Sequence, residues 1–147
     1  MGGCLTCGVK LSVKSDYAAR AVLGLARAYP AGKPVRVETL AGEQGVPPKY
    51  LTQILIELKG AGLVRSVRGA EGGYLLARPP AEITLGDVLR AVHGQVFDSS
   101  ALSDAGCAAE LRDAWCRLQR AVDAAADVIH FQSLVEAGAE SARMYHI

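Results

Sequence analysis

The sequence predicts a mainly α-helical chain with one small β-hairpin and a long helix toward its C-terminal end. Three observations predict it. Half of the 147 residues are hydrophobic but only 5% are aromatic, which suits helices packed through alanine and aliphatic side chains. Most of the chain repeats its apolar residues every three or four positions, the period of a helix. One stretch alone, SVRGAEGGY (66–74), offers strand-like runs around a glycine-rich turn.

Each element has a local reason. In KSDYAARAVLGLARAY (14–29), Tyr17, Ala18, Val22, Leu25 and Tyr29 line one face, and Pro30 and Gly32 end the helix. A second short helix fits 36–44, closed by Gly45. A third fits 47–60, where proline in the first turn removes an N–H that has no helical partner. Its apolar stripe reads Tyr50, Leu51, Ile54, Leu55 and Leu58, with Lys49, Thr52, Gln53 and Ile56 on another face. Leu63 to Val67 and Tyr74 to Ala77 have strand composition, and GAEGG supplies the turn. The glycines are expected to permit a positive-φ tip and a close approach of the backbone to a ligand.

After Pro79 and Pro80, TLGDVLRAVHG predicts a fourth helix. It is opened by a capping box of Thr84 and Asp87 and closed by Gly94. A polar loop spans 95–105. A long helix follows from about Ala108 through Ile129. Its positions Leu111, Trp115, Leu118, Val122, Ala125 and Ile129 are spaced alternately four and three apart, a coiled-coil-like seam suited to a dimer interface or to packing within the chain.

Composition narrows the function. No apolar run approaches the roughly 18 residues of a membrane span, so no membrane partner is expected. MGGCLTCGVK lacks the charged start and apolar core of a signal peptide. A cytoplasmic location with reduced thiols is the resulting expectation. There is no nucleophile elbow, phosphate loop or paired catalytic carboxylate, so no enzyme is expected. His93, His130 and His146 show no metal-ligand spacing, and no metal site is expected. The net charge of +1 conceals an asymmetry: residues 1–80 hold eleven Lys or Arg against five Asp or Glu, and residues 81–147 hold five against ten. A basic N-terminal half points to a polyanion.

Two short helices, a third bearing polar residues on its free face, and then a hairpin form the order of a winged helix-turn-helix. In that arrangement the third helix reads the major groove of double-stranded DNA and the hairpin is a wing. Lys49, Lys59, Arg65 and Arg68 stand where phosphates need cations. Gln53 has the side chain that pairs with adenine, and Arg68 can reach guanine or a narrow minor groove.

These strings carry a resemblance. SVKSDYAARAVLGLA and VETLAGEQGVPPKYLTQILIELKGAGLVRSVRGAEGGYLLARPPAEITLGDVLRAVHG resemble the IscR/NsrR/CymR-type family of winged helix-turn-helix transcriptional regulators over roughly residues 10–94. The long C-terminal helix is similar to that family's dimerisation helix. The resemblance implies a homodimer on a partly palindromic operator, acting as a repressor or sometimes an activator. It places Tyr50, Thr52 and Gln53 at recognition-helix contacts and Ser66 and Arg68 at wing contacts. Pro47 and Lys49 stand where some members carry DNA-contacting serines, so a different preferred operator is expected. The division that follows is a disordered extension at 1–8, a DNA-binding domain at 9–80, and a linker-helix and dimerisation region at 81–147.

Many members of this family sense through an iron–sulfur cluster held by three closely spaced cysteines in the loop before the long helix. This chain has only Cys107 there. Cys116 lies nine residues on, Cys4 and Cys7 form a CxxC in the N-terminal extension, and Asp16 matches a carboxylate ligand of the nitric-oxide-sensing members. No cofactor is the expectation for this cysteine-poor chain. An iron–sulfur sensor is kept as an alternative, as is a thiol-based redox sensor using Cys107 and Cys116, the latter flanked on its helix by Arg112 and Arg120. A winged-helix adaptor that binds protein is a third.

Overall fold

The structure, a computed structural model, describes residues 11–145. The expected extension at 1–8, with Cys4 and Cys7, lies outside the described residues, as does His146.

Helix α1, Val13–Ala28, starts where the Ser12 hydroxyl accepts a hydrogen bond from the Ser15 amide at 3.0 Å. It is the central element, packing on α2 (Val37–Gln44), α3 (Pro48–Gly60), α4 (Leu85–His93) and α6 (Phe131–Tyr145). Small residues let the neighbours close in: a Cβ added at Gly24 would stand 2.4 Å from the Leu40 side chain. Val22, Leu25, Leu40, Leu51, Leu55 and Leu58 fill the core between the first three helices. Gly45 ends α2 with φ at +65°, as its sequence position suggests. Tyr50 departs from the expected stripe of α3. It is 65% exposed, because it stands at the edge of the buried stripe beside Gln53, where its ring lies edge-on to Tyr17 of α1 with centroids 6.4 Å apart.

Strands β1 (Val64–Val67) and β2 (Gly73–Leu76) pair antiparallel in the register Val64 to Leu76 through Val67 to Gly73. Val35 bridges Tyr74 from the other side through two backbone bonds of 2.9 and 2.8 Å. This third backbone accounts for Gly73, and the glycines of the turn serve different needs. Of those at the turn only Gly69 has a positive φ, +115°. Gly72 and Gly73 are required for space: a Cβ would stand 2.2 Å from the Val67 carbonyl oxygen at the first and 2.3 Å from the Val35 carbonyl oxygen at the second.

The capping box opens α4 as its sequence predicts, with Asp87 N–H donating to Thr84 Oγ1 at 3.1 Å and Thr84 N–H to the Asp87 carboxylate at 3.0 Å. The loop at 95–108 contains a short 3-10 turn, Ser100–Leu102. Helix α5 then runs Ala109–Asp127. The expected seam is therefore shorter than its spacing implies. Ile129 lies beyond the helix, in a break at 128–130, and a further helix follows at Phe131–Tyr145.

The break has a tertiary cause. Residues 83–85 and 129–131 exchange backbone bonds: Leu85 N–H to Ile129 O at 2.8 Å and Phe131 N–H to Ile83 O at 3.0 Å. These bonds replace the helical bonds that α5 would otherwise continue. The pairing drops Phe131, 1% exposed, into the same apolar cluster as Val22, Ile83 and Val88. Beside it the Arg90 guanidinium forks onto the Asp127 carboxylate, with bonds of 2.7 and 2.9 Å. That hydrogen bonding, with the Arg90 charge, holds the Asp127 carboxyl below its ordinary pKa. A depressed carboxyl contributes stability that is complete above the unfolded-state pKa and is lost as the pH falls through the folded one.

Phe131→Ala should cost about 3–5 kcal/mol of stability. Chemical denaturation at fixed protein concentration reads this, and a loss below about 1 kcal/mol contradicts the buried plug.

Candidate nucleic-acid interface

Helix α3 turns Leu51, Ile54, Leu55 and Leu58 into the core. Its capping proline, Pro47, and Pro48 at its first turn set the entry of the chain without a side-chain cap. What remains outside is Lys49, Tyr50, Thr52, Gln53, Ile56 and Lys59, all exposed. Lys49, Tyr50 and Gln53 line one shallow surface depression. Thr52 Oγ1 donates to the Pro48 carbonyl at 2.9 Å, so its hydroxyl faces a partner as an acceptor. Glu57, the one acid on α3, is neutralised by Lys14 at 2.8 Å, which removes a charge that would repel a polyanion.

The wing is fixed to this helix. Lys59 Nζ donates to Ser66 Oγ at 2.8 Å, tying the end of α3 to β1. An ammonium has three donors, so two remain for an outside acceptor. Arg65, Ser66 and Arg68 are exposed along β1 and the turn. The structure thus brings Lys59 and Ser66 together directly and groups Lys49, Tyr50 and Gln53. It carries Arg65 and Arg68 on the hairpin.

Sequence reasoning missed Arg36. This residue caps α2, and its guanidinium donates to the Ala70 carbonyl at the wing tip. The only signal in the sequence is a cation just before a helix, which does not tell that its target lies 34 positions on.

The dimerisation candidates divide. Leu111 and Leu118 are 48% and 42% exposed, Trp115 and Val122 are half-buried, and Ile129 sits in the break. Among the described residues of α5 only Ala126 is buried. The helix meets its own chain at α4 and at the Ser100–Leu102 turn and leaves most of its apolar face uncovered.

The cysteine candidates are separate. Cys107 is half-buried in the loop and Cys116 half-buried on α5, both free. Arg112, expected beside Cys116, donates instead to the Asp104 and Cys107 carbonyls at 2.6 and 3.1 Å. That commits its guanidinium to shaping the loop. Asp16 pairs with Arg20 at 2.9 Å. His93 Nε2 lies 2.9 Å from Ser12 Oγ and 2.7 Å from Ser15 Oγ, joining the end of α4 to the start of α1.

A winged helix-turn-helix frame, with a polar third-helix face and a basic wing braced to it, is now in place, and comparison with known proteins assigns it. A family model described as Rrf2, an iron-dependent transcriptional regulator, matches residues 11–137. The chain belongs to the Rrf2 family of transcriptional regulators. The regulator CymR of Bacillus subtilis is 33% identical over 141 residues, covering 95% of this chain and all of that one. A Mycobacterium tuberculosis sequence, Rv1287, named for a helix-turn-helix-type transcriptional regulator, is 49% identical over 86 residues. That match covers 58% of this chain and only 53% of the mycobacterial protein. The solved structure of T. potens IscR superposes with a TM-score of 0.76 at 32% identity, over 92% of this chain and 93% of that one.

The Rrf2 description names iron, and the donor set among the described residues does not fit an iron–sulfur cluster. Cys107 is the sole cysteine of the loop before α5, and Cys116 lies on the helix. No group of three or more His, Cys, Asp or Glu side chains draws together among the described residues. No helix there is long and apolar enough to cross a membrane.

Gly73→Ala should destabilise the fold by about 1–3 kcal/mol, because the new Cβ meets backbone that can yield only by opening the Val35–Tyr74 bridge. A midpoint in urea equal to wild type contradicts the close approach.

Proposed function

We propose that this Rrf2 chain is a homodimeric transcription regulator, a repressor, that binds a partly palindromic operator in double-stranded DNA. The observation that carries it is the division of α3. One side is buried in the core, and the other presents Lys49, Tyr50, Thr52 and Gln53 beside a wing bearing Arg65, Ser66 and Arg68. A helix anchored in this way enters a major groove as a rigid body, with the wing on the flanking backbone. Arg and Lys at the edges neutralise phosphates, and Gln53 and Arg68 have the chemistry to read base edges. The uncovered apolar face of α5 supports the dimer: Leu111, Trp115, Leu118 and Val122 lie on one helix at heptad spacing, and a second copy of the same face would bury them. In this reading residues 9–80 form the reading unit, residues 81–147 form the linker and dimerisation region, and the protein acts in a bacterial cytoplasm. Occupying a promoter would exclude the polymerase, which is repression.

Genome-wide footprinting of the purified protein on its own genomic DNA locates the operator, and a gel shift separates this reading from a protein-binding adaptor. Affinity for the recovered duplex should fall steeply with salt. Arg68→Ala should weaken specific binding by about 1–3 kcal/mol. Unchanged affinity in that variant contradicts the wing contact, and no retained duplex at low salt contradicts the function.

A further inference from the structure

The structure gives the dimerisation helix α5 a joint to the reading unit that is much more specific than a connection of chain requires. Three devices converge on it. Residues 83–85 and 129–131 are paired through backbone bonds of 2.8 and 3.0 Å. Phe131, immediately after the pairing, is locked into the core. On the other side of α4's first turn, Arg90 holds Asp127 through both carboxylate oxygens at 2.7 and 2.9 Å, with Asp123 at 3.9 Å. Gly86 lies under this fork: a Cβ there would stand 2.1 Å from Asp127 Oδ1 and 3.0 Å from an Arg90 nitrogen. The glycine has an ordinary helical φ, so its conformation does not demand glycine. The approach of the carboxylate does.

A planar guanidinium bonded to both oxygens fixes orientation as well as distance. The pair is about two-fifths exposed on each side, where an ion pair contributes little stability. What such a fork does supply is angle. Helix α5 meets α4, the Ser100–Leu102 turn and, through Gln119 and Arg112, the loop that precedes it. The loop moves with α5, so a rotation of α5 about the 128–130 break is resisted by the α4 contact, where this fork sits, and by the strap. In a dimer built on α5, that rotation moves the two α3 helices apart or together. The separation of the half-sites on DNA follows the separation of the reading helices.

We infer that Arg90, Asp127 and Gly86 are positioning residues that set the half-site spacing the dimer accepts, by fixing the angle between the dimerisation helix and the reading unit. This rests on the dimeric, DNA-binding reading proposed above. Neither side chain is asked to touch DNA.

The test uses duplexes that the full-length wild-type protein selects from a randomised DNA library. The selected inverted repeat is then remade with its spacer shortened or lengthened by one or two base pairs, and also as a single half-site. Binding of wild type, Asp127→Asn and Gly86→Ala is measured on the series. Both variants should flatten the preference for the selected spacer by roughly two- to thirty-fold. Binding to the single half-site and the dimer's sedimentation should remain as in wild type. A spacer preference unchanged within experimental error in Asp127→Asn overturns the inference, as does an equal loss on the half-site. If Gly86→Ala does not fold, Asp127→Asn, at an exposed position, still decides the matter. A wild type that selects no duplex contradicts the proposed function. A wild type whose spacing preference survives in the variants contradicts this inference alone.

Discussion

Burial of the Phe131 ring beneath α1 joins the two ends of the chain. Fully burying a side chain of this size contributes on the order of 1.5–3 kcal/mol, a large fraction of the 5–15 kcal/mol typical of a whole domain. The ring belongs to the same cluster as Val22 and Val88. This burial, with Val135 packed against the same cluster, holds α6 on the reading unit, and it stands next to the backbone pairing of Ile83 with Phe131 that follows the end of α5 at Asp127.

The same logic of close backbone contact builds the interface. Val35 enters beside the wing and turns a two-stranded hairpin into a three-backbone unit. A lone hairpin is marginal in water, and here it gains a third backbone, a bond from Arg36 at its tip and one from Lys59 at its base. The wing is consequently a rigid extension of α2 and α3. A rigid wing loses little conformational entropy on meeting DNA, which favours specific over loose binding.

Much of this was legible in the sequence. The stripe of Leu51, Ile54, Leu55 and Leu58 gave the inward face of α3, and Thr84 with Asp87 gave the start of α4, because both signals are local and periodic. Tyr50 failed the same test, since it stands at the edge of that stripe and a period does not show how far around the helix the neighbours reach. Helix α6 escaped because nothing local stops α5: DAAADVIHF carries neither glycine nor proline, and the break comes from residues 83–85, more than forty positions earlier. Gly72 and Gly73 were recognisable as special, but the reason for Gly73 was the distant Val35 and not a turn. Arg36 and the Arg90–Asp127 fork were invisible for the same cause. The surface of α3 and the wing could be found from residue types and order. Which of those residues brace one another could not.

The central claim is that one chain presents one reading helix and that a dimer presents two in fixed geometry. Hydroxyl-radical footprinting on a duplex selected by the protein tests it most directly. The account predicts two protected patches on one face of the duplex, related by a dyad and separated by one helical turn of about 10 base pairs or a multiple of it. A single unpaired patch, or protection spread evenly along the duplex, would contradict it.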